Sequence, residues 1–520
     1  MFIKKLWNKF FAFKPDREVQ NKELVNYAIG VMGQNHAYNI IANWFMYFCT
    51  DVLYVDVMVV GLVLGAARIW DAINDPIVGV IVDRHTFKTG EKLRPFLKIM
   101  AIPVGIASAL MFVDWGLPQK FMGLYICAIY FIWDTMYSFQ DIAQWGMTAM
   151  ISTNSEERGR AAQFGRIGGM VGGWLPGLIG VALANLPKFG ISEKTIFLFA
   201  GLFFGFGGMC ISMVAAKTKE RTPVKPPEGS VKDAFKLIFT NKIAMALVVA
   251  ELLGHVTFRI QDIYFFKYMV SLNLFGKTIE GLNIQFVYGL LVGLPGTLAI
   301  FIATWFARKI GGMKNLLLLS TTLNITVRIV AYFIGFEGYK IAITGALMAL
   351  AGIPQGMTGI ATTTIWGDSV DYMEWKTGER NEASVFALQN LVAKAGSGLD
   401  TMFTGITLSM LQFDATKYDL GEPQAPVFYK YVWLVYILGP AVGAILYLIP
   451  LLMMRYDRKT KLMVEKELRE RRAQKALIAQ SEEDLVPNLN LPIYLLHTKI
   501  KNTIEKPCAI VYNSYNYNYV

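Results

Sequence analysis

The chain has 520 residues, of which 54% are hydrophobic and only 17% are charged. That balance excludes an ordinary soluble protein and predicts an all-α polytopic protein of the lipid bilayer. The formal net charge of +11 would also fit a nucleic-acid-binding protein, but the lysines and arginines cluster on alternate loops. This distribution is typical of a membrane protein and argues against a nucleic-acid partner.

Apolar stretches long enough to cross a bilayer recur along the whole chain. We predict twelve transmembrane helices, at approximately residues 27–49, 57–83, 95–114, 119–150, 160–185, 193–216, 243–270, 281–307, 315–335, 339–365, 382–411 and 428–454. Basic residues concentrate before the first span and after the even-numbered spans, so the positive-inside rule places both termini in the cytoplasm.

The first span follows a cytoplasmic amphipathic segment at residues 1–26 and contains an unusual density of polar side chains, among them Gln34, Asn35, His36 and Asn39. These groups are unsuited to a lipid-facing surface. They predict a water-filled or substrate-filled interior, in which side-chain amides bind hydroxyl groups. For His36 and Asn39, hydrogen bonding that only holds helices together is an equally good interpretation.

The second span contains two carboxylates, Asp71 and Asp75, at a spacing that puts both on one helix face beside Asn74. A carboxylate at the centre of a spanning helix costs on the order of 3 kcal/mol, so it should face a cavity and have a partner. Carboxylate and amide oxygens are hard ligands that suit an alkali cation or a proton. A purely structural pair between Arg68 and Asp71 is the alternative.

The fourth span places Ser138, Asp141 and Trp145 on one face, at i, i+3 and i+7. A carboxylate that accepts hydroxyl hydrogens beside an aromatic ring forms a plausible carbohydrate-binding pair, although Trp145 alone could be an interfacial anchor. Arg166, at the start of the fifth span, is expected to be buried, with Asp141 as its partner.

The proline-rich segment at residues 217–242 is interpreted as a cytoplasmic linker between two six-helix bundles, at residues 27–216 and 243–456. The seventh span contains a row of ionisable residues at helical spacing, namely Glu251, His255, Arg259 and Asp262. We favour a self-neutralising structural ladder on one helix face over a proton relay. The charged tail at residues 457–520 receives no functional assignment.

Charged residues on the cytoplasmic loops predict a gate made of salt bridges that break when the transporter changes state. The expected gating residues are Arg84, Arg94, Asp368, Asp371, Glu374 and Arg380. The eleventh span contributes Gln389, Asn390 and Lys394. The ammonium of Lys394 can reach substrate hydroxyls, or it can pair with Asp71 or Asp75 across the central cavity.

Several sequence signatures resemble the glycoside-pentoside-hexuronide:cation symporters of the major facilitator superfamily. They are TDV (Thr50 to Val52), RIWDAINDP (Arg68 to Pro76), SFQDIAQW (Ser138 to Trp145) and DSVDYMEWKTGERNEA followed by Lys394. The resemblance implies a cation site made of Asp71, Asn74, Asp75 and Ser138. It implies a sugar site made of Gln34, Asn35, Asp141, Trp145, Arg166, Gln389, Asn390 and Lys394.

The expected function is therefore symport of a glycoside, pentoside or hexuronide with Na⁺, Li⁺ or H⁺ across the plasma membrane, by a monomer without any other cofactor. Asn35 and Gln34 replace an aspartate and a lysine found in the family, so an acidic sugar competes with a neutral glycoside as substrate. An uncoupled sugar facilitator is the alternative. An enzyme is not expected, because the sequence has no HExxH, GxSxG or Cys/His cluster.

Overall fold

The computed structural model describes residues 17–152, 154–221, 241–274, 276–378, 382–454, 456 and 458–485. Most of the predicted linker, the tail beyond Leu485 and the predicted gating residue Arg380 lie outside these ranges. The described residues fall into two compact units. The larger draws on Met1–Val370 and Arg380–Arg458, and the smaller on Asp371–Glu379 and Lys459–Val520.

The chain is almost entirely helical. The α-helices before the linker are α1 (Asn21–Tyr47), α2 (Val57–Arg84), α3 (Arg94–Ile99), α4 (Ala101–Leu110), α5 (Gln119–Met150), α6 (Ser155–Trp174), α7 (Leu178–Asn185), α8 (Glu193–Ala200) and α9 (Gly208–Ser212). Short 3-10 or π segments extend several of them, at Phe48–Val52, Leu175–Gly177, Leu186–Phe189, Gly201–Gly207 and Met213–Lys217.

Helices also dominate the region after the linker. They are α10 (Lys242–His255), α11 (Asp262–Met269), α12 (Gly281–Ala299), α13 (Ala303–Lys309), α14 (Met313–Ile334), α15 (Lys340–Thr377), α16 (Glu382–Met410), α17 (Ala415–Asp419), α18 (Pro426–Met453) and α19 (Arg458–Leu485). A 3-10 turn at Ile300–Ile302 joins α12 to α13. An antiparallel hairpin of β1 (Ser271–Leu274) and β2 (Lys277–Glu280) precedes α12, with Ser271 opposite Glu280.

Helical segments occupy every predicted span, which is consistent with a count of twelve. Within the described ranges, seven stretches are both long and apolar enough to cross a membrane: Val57–Val82, Glu157–Phe189, Glu193–Lys217, Gly281–Lys309, Met313–Ile334, Lys340–Thr377 and Pro426–Met453. In α2, Ile69, Ile73 and Ile77 form an exposed apolar stripe, whereas Asp71 and Asn74 are buried. The helix therefore turns its polar face inward and its apolar face towards lipid.

The predicted seventh span is interrupted rather than continuous. Helix α10 ends at His255 and α11 begins at Asp262. In the interruption, the Thr257 hydroxyl donates to the carbonyl oxygen of Gly439 in α18 at 2.6 Å. Non-helical backbone at membrane depth requires such partners, because lipid supplies none. The expectation that Arg259 and Asp262 continue one helix face with Glu251 and His255 is therefore wrong.

Small residues allow α2 and α16 to pack very closely. A Cβ atom on Gly405 would lie 2.7 Å from the Cα of Gly61, and one on Gly398 would lie 2.7 Å from the Cβ of Arg68. Only glycine fits where helix backbones approach this closely. Because Gly398 is one turn from Lys394, this contact places Lys394 opposite the carboxylates of α2.

Candidate substrate and cation site

Helices α2 and α16 bring Lys394 between Asp71 and Asp75. The Lys394 ammonium donates to Asp71 Oδ1 at 2.7 Å and also contacts Asp75 Oδ2. Only 5% of the Asp71 side chain is exposed, compared with 25% for Lys394 and 26% for Asp75. The pairing predicted across the central cavity is present, and the ammonium occupies the space between two carboxylates where a small cation would also be attracted.

The alternative partner of Asp71 is more distant. Arg68 NH1 lies 3.9 Å from Asp71 Oδ2. The Arg68 guanidinium carbon instead lies 5.6 Å from the ring centroid of Tyr38 and 5.8 Å from that of Tyr130. Cation–π contacts of this kind stabilise a buried guanidinium without neutralising its charge. Arg68 therefore contributes positive charge to the cavity wall, while Lys394 makes the direct contact with Asp71.

The other two predicted cation ligands contact each other across α2 and α5. Asn74 Nδ2 donates to Ser138 Oγ at 2.9 Å, and Ser138 Oγ donates to the carbonyl oxygen of Asp134 at 3.1 Å. Asp134 Oδ2 and Asp75 Oδ1 are both buried, and neither has a hydrogen-bond partner in the described structure. Buried acceptor atoms without a donor indicate a place for a cation, a proton or water.

Asp134 is a site residue that the sequence reasoning missed. It lies in the same apolar span as Asp141, seven residues earlier, so it belongs to the same helix face. That spacing could have identified it, since an unpaired carboxylate in a spanning helix is expected to face a cavity.

These residues surround a cavity of about 190 Å³. Its lining consists of Asn35, Tyr38, Arg68, Asp71, Trp133, Asp134, Tyr137, Asp141, Trp145 and Lys394. Gln34 Nε2 donates to Asp141 Oδ1 at 2.8 Å. The Tyr137 ring stacks on Trp133 at a centroid distance of 4.9 Å and on Tyr38 at 5.8 Å. We call this space the central cavity; carboxylate and amide groups beside aromatic faces suit a sugar.

The central cavity has more acidic than basic side chains. The ionisable groups that line it or contact its lysine are Asp71, Asp75, Asp134, Asp141, Arg68 and Lys394. If all are ionised, four carboxylates face two basic groups and the formal net charge is −2. Buried like charges are costly in a low-dielectric environment, so this set favours uptake of a cation or a proton.

Four predicted sugar-site residues do not line the central cavity: Arg166, Gln389, Asn390 and Gln34, the last of which contacts Asp141. Arg166 is exposed, and Asp141 takes its hydrogen bond from Gln34. The prediction of a buried Arg166 is wrong, because Gly165, Gly168 and Gly172 make the close contacts of α6 and turn residue 166 away from the packed face. Gln389 is half-buried and Asn390 is exposed, and they precede Lys394 on α16 by five and four residues.

The ionisable row of the interrupted span pairs with groups outside the row. His255 Nδ1 lies 2.9 Å from Asp400 Oδ1, and Arg259 contacts the same carboxylate oxygen. Glu251 accepts a hydrogen bond from Trp366 Nε1 at 3.1 Å. The preferred interpretation of a self-neutralising ladder is therefore wrong, because Asp400 of α16 supplies the counter-charge. Asp400 was missed; it lies six residues after Lys394 in the same span.

A second ionic cluster surrounds Lys267 of α11. Lys267 Nζ lies 3.5 Å from Asp51 Oδ1 and 3.4 Å from Glu193 Oε1, and Tyr47 donates to Glu193 Oε2 at 3.0 Å. The side chains of Lys267 and Asp51 are 6% and 1% exposed. We call this group the Lys267 cluster. It joins the end of α1 and the start of α8 to α11, and it contains the aspartate of the TDV signature.

The predicted gating residues have varied surroundings. Arg84 is exposed at the end of α2, and Arg94 pairs with Glu91 while its backbone N–H donates to Glu220. Asp368 lies within α15. In the smaller unit, Arg472 NH2 lies 3.3 Å from Asp371 Oδ1 and 2.5 Å from Glu374 Oε2. The tail helix α19 thus supplies a partner that the sequence reasoning did not assign.

A further ion pair, between Arg221 and Glu23, joins the beginning of the predicted linker to α1. Arg221 NH2 lies 2.8 Å from Glu23 Oε2, and this hydrogen bond raises the pKa of the Arg221 guanidinium. The contact holds Arg221, which lies within the predicted linker, against the start of α1. The beginning of the linker is therefore fixed to the first helix by a charge-assisted hydrogen bond.

The helical fold and its charged central cavity define a membrane transporter with the major facilitator fold. The crystal structure of a D-xylose-proton symporter aligns with a TM-score of 0.55 at 14% identity, over 85% of this chain and 98% of that one. A bacterial homologue of the lysosomal transporter Spinster aligns with a TM-score of 0.56 at 13% identity, over 88% and 98%. At these identities the similarity concerns the fold alone.

The chain belongs to the MFS/sugar transport protein family, whose model matches residues 26–458. This is the glycoside-pentoside-hexuronide symporter type that the signatures predict, and its members are transporters rather than enzymes. The isoprimeverose transporter of Lactiplantibacillus pentosus is 26% identical over 89% of this chain and 94% of its own length. The raffinose carrier protein of Pediococcus pentosaceus is 25% identical over 73% of this chain and 61% of its own length.

Proposed function

We propose that the protein is a secondary active transporter that carries a glycoside, pentoside or hexuronide together with Na⁺, Li⁺ or H⁺ by alternating access. The observation that carries the proposal is the excess of carboxyl groups over basic side chains at the central cavity, which adjoins an aromatic and amide wall of the kind that binds sugars. A facilitator needs the wall but has no use for unpaired buried carboxylates, which are expensive in a membrane.

The cation acts by competing with Lys394. An ion or proton that binds Asp71, Asp75, Asn74 and Ser138 weakens the attraction between the carboxylates and the ammonium. Lys394 is then free to donate hydrogen bonds to substrate hydroxyls in the same cavity. Each ligand thereby improves the binding of the other, which is the reciprocal linkage that symport requires.

The sugar binds against Asp141 and Trp145. Asp141 accepts hydroxyl hydrogens, Gln34 and Asn35 supply amide groups, and Trp145, which is 38% exposed, offers its ring to the C–H face of a sugar. Two of the relatives are named for isoprimeverose and raffinose, which are neutral sugars. We assign a neutral glycoside first and a hexuronide second, because the basic groups Arg68 and Lys394 also suit a carboxylate.

Alternating access uses the Lys267 cluster as the outer closure. With the basic loops and both termini in the cytoplasm of a plasma-membrane protein, the ends of α1 and α11 lie on the outer side. The Lys267 cluster then links the outer ends of the two predicted six-helix bundles, which supports assigning this arrangement to a state closed to the outside. Opening outward requires these ion pairs to break.

The test is uptake of labelled sugars into vesicles that contain the purified protein. Isoprimeverose, lactose, raffinose and glucuronide probes are compared with imposed Na⁺, Li⁺ or H⁺ gradients. We expect one cation gradient to drive accumulation above equilibrium, and Asp71→Asn or Asp75→Asn to abolish accumulation while sugar exchange persists. Equilibration without accumulation in the wild type under every gradient would establish the facilitator alternative.

A further inference from the structure

A second and larger cavity lies outward of the central one. It has a volume of about 430 Å³ and is bounded by α1, α6, α12 and the interruption between α10 and α11. Its polar and aromatic lining includes Asn43, Trp174, Gln261, Asp262, Gln285 and Phe286. We call it the outer cavity. Interrupted helices in transporters commonly face binding sites, since non-helical backbone at this depth must line a polar space.

Two amide oxygens at the outer cavity lack hydrogen-bond donors among the described residues. The amide oxygens of Gln261 and Gln285 are buried, and neither has a hydrogen-bond partner among the described residues. An unsatisfied buried acceptor is unfavourable until a hydroxyl or water reaches it. Asp262 adds an exposed carboxylate, which already accepts a hydrogen bond from the Tyr436 hydroxyl. The two amide oxygens without donors match a ligand rich in hydroxyl hydrogens.

The apolar part of the lining favours the same class of ligand. Trp174 is 38% exposed, and Phe286 lies across the cavity on α12. Flat aromatic faces bind the C–H face of a sugar ring. No lysine or arginine belongs to the described lining, so an anionic ligand has no counter-charge there. The cavity therefore suits an uncharged glycosyl unit better than a uronate.

An amide ladder on α1 connects the two cavities. Asn35 lines the central cavity and Asn43 the outer one, with Asn39 between them. Asn39 Nδ2 donates to the Asn35 carbonyl oxygen at 2.9 Å, and Asn43 Nδ2 donates to Asn39 Oδ1 at 3.3 Å. Eight residues of α-helix rise about 12 Å, a length suited to an oligosaccharide and too long for one monosaccharide.

We propose that the outer cavity is a second sugar subsite, which holds the next glycosyl unit of a glycoside whose first unit occupies the central cavity. The inference rests on the proposed function, and it narrows the substrate to an uncharged oligosaccharide or glycoside of at least two units. Asp141 and Trp145 hold the first unit. Gln261, Gln285 and Trp174 hold the second.

Two substitutions in the outer cavity test the subsite. Binding of lactose and isoprimeverose, and of the single sugars galactose and xylose, is measured on the purified full-length protein by calorimetry. We expect Gln285→Leu and Trp174→Ala to weaken binding of the preferred disaccharide by about tenfold and to leave binding of its monosaccharide unchanged. Unchanged monosaccharide binding also shows that each variant is folded. Trp115→Ala is the matched control, because Trp115 is 53% exposed and lies outside the cavity.

The possible outcomes separate this proposal from the proposed function. Equal losses for the disaccharide and the monosaccharide, or no loss for either, would overturn the subsite while the transport assignment stands. Asp141→Asn should weaken both sugars, because it acts on the first unit. If none of the four sugars binds the wild type and Asp141→Asn changes nothing, the sugar assignment of the central cavity fails, and the subsite fails with it.

Discussion

Replacing Lys394 with methionine removes the ammonium but keeps most of the side-chain volume. Asp71 and Asp75 then face each other without the group that contacts both. Breaking a buried ion pair by deleting one partner typically costs about 3 to 5 kcal/mol, because the remaining charge stays desolvated. Since Lys394 and Asp75 are about one quarter exposed, we expect a loss in the free energy of unfolding near the lower end, about 3 kcal/mol.

The loss of stability in Lys394→Met should be largest when both carboxylates are present. Asp75→Asn in the same chain removes one of the two unpaired charges, so the double variant should recover part of the stability. A double-mutant cycle between these positions should give a coupling energy of about 1 to 3 kcal/mol. Added Na⁺ or Li⁺, or a lower pH, should stabilise Lys394→Met more than the wild type, because a cation or proton then replaces the ammonium.

The assay is denaturant unfolding of the purified protein in detergent, followed by tryptophan fluorescence at several salt concentrations and pH values. Lys376→Met provides a matched lysine control, because Lys376 is exposed at the end of α15. If Lys394→Met is as stable as the wild type in every condition, or if its salt response equals that of the control, Lys394 does not neutralise the carboxylates and the reasoning is refuted.

Three further variants test the packing and the two other ionic clusters. Gly405→Leu should force α2 and α16 apart and reduce the yield of monodisperse protein, measured by size-exclusion chromatography. Gly79→Leu is the control: no atom lies within 4 Å of its Cβ position, so its yield should equal that of the wild type. Asp400→Asn should lower the free energy of unfolding by about 1 to 3 kcal/mol in denaturant titrations, because Arg259 loses its counter-charge. Lys267→Ala should increase labelling of a cysteine introduced on the outer side of the cavity, because the outer closure loses its ion pairs; unchanged labelling would contradict that role.

The sequence was sufficient for those parts of the site that lie on continuous helices. Asp71 and Asp75 share a face because helical spacing dictates it, and apolar surroundings imply that a basic partner must exist. Lys394 is a lysine well inside an apolar span, so its pairing with α2 could be predicted. Their ion-binding role remains a prediction, as does the sugar-binding role of Asp141.

The sequence was insufficient where tertiary contacts decide the backbone or the partner. The stretch from Val256 to Gln261 contains neither proline nor glycine, so the sequence indicates a continuous helix. The break depends on the bond from Thr257 to Gly439, which is 182 residues away. The choice of Asp400 as the partner of His255 likewise depends on how α10 packs beside α16, and local spacing contains no information on that packing.

In the proposed symport, the position of Lys394 lets a site rich in carboxylates couple two ligands instead of simply trapping an ion. An ammonium bound to Asp71 and Asp75 competes with the cation and so lowers its affinity, which favours release. The cation binds favourably between the carboxylates only when the Lys394 ammonium has an alternative acceptor, and a sugar hydroxyl in the same cavity provides one. Without sugar, the cation must displace Lys394 without compensation; without the cation, the sugar must compete with two carboxylates for the same ammonium. Both half-loaded states are therefore disfavoured relative to the empty and doubly loaded states, which is the energetic condition for symport.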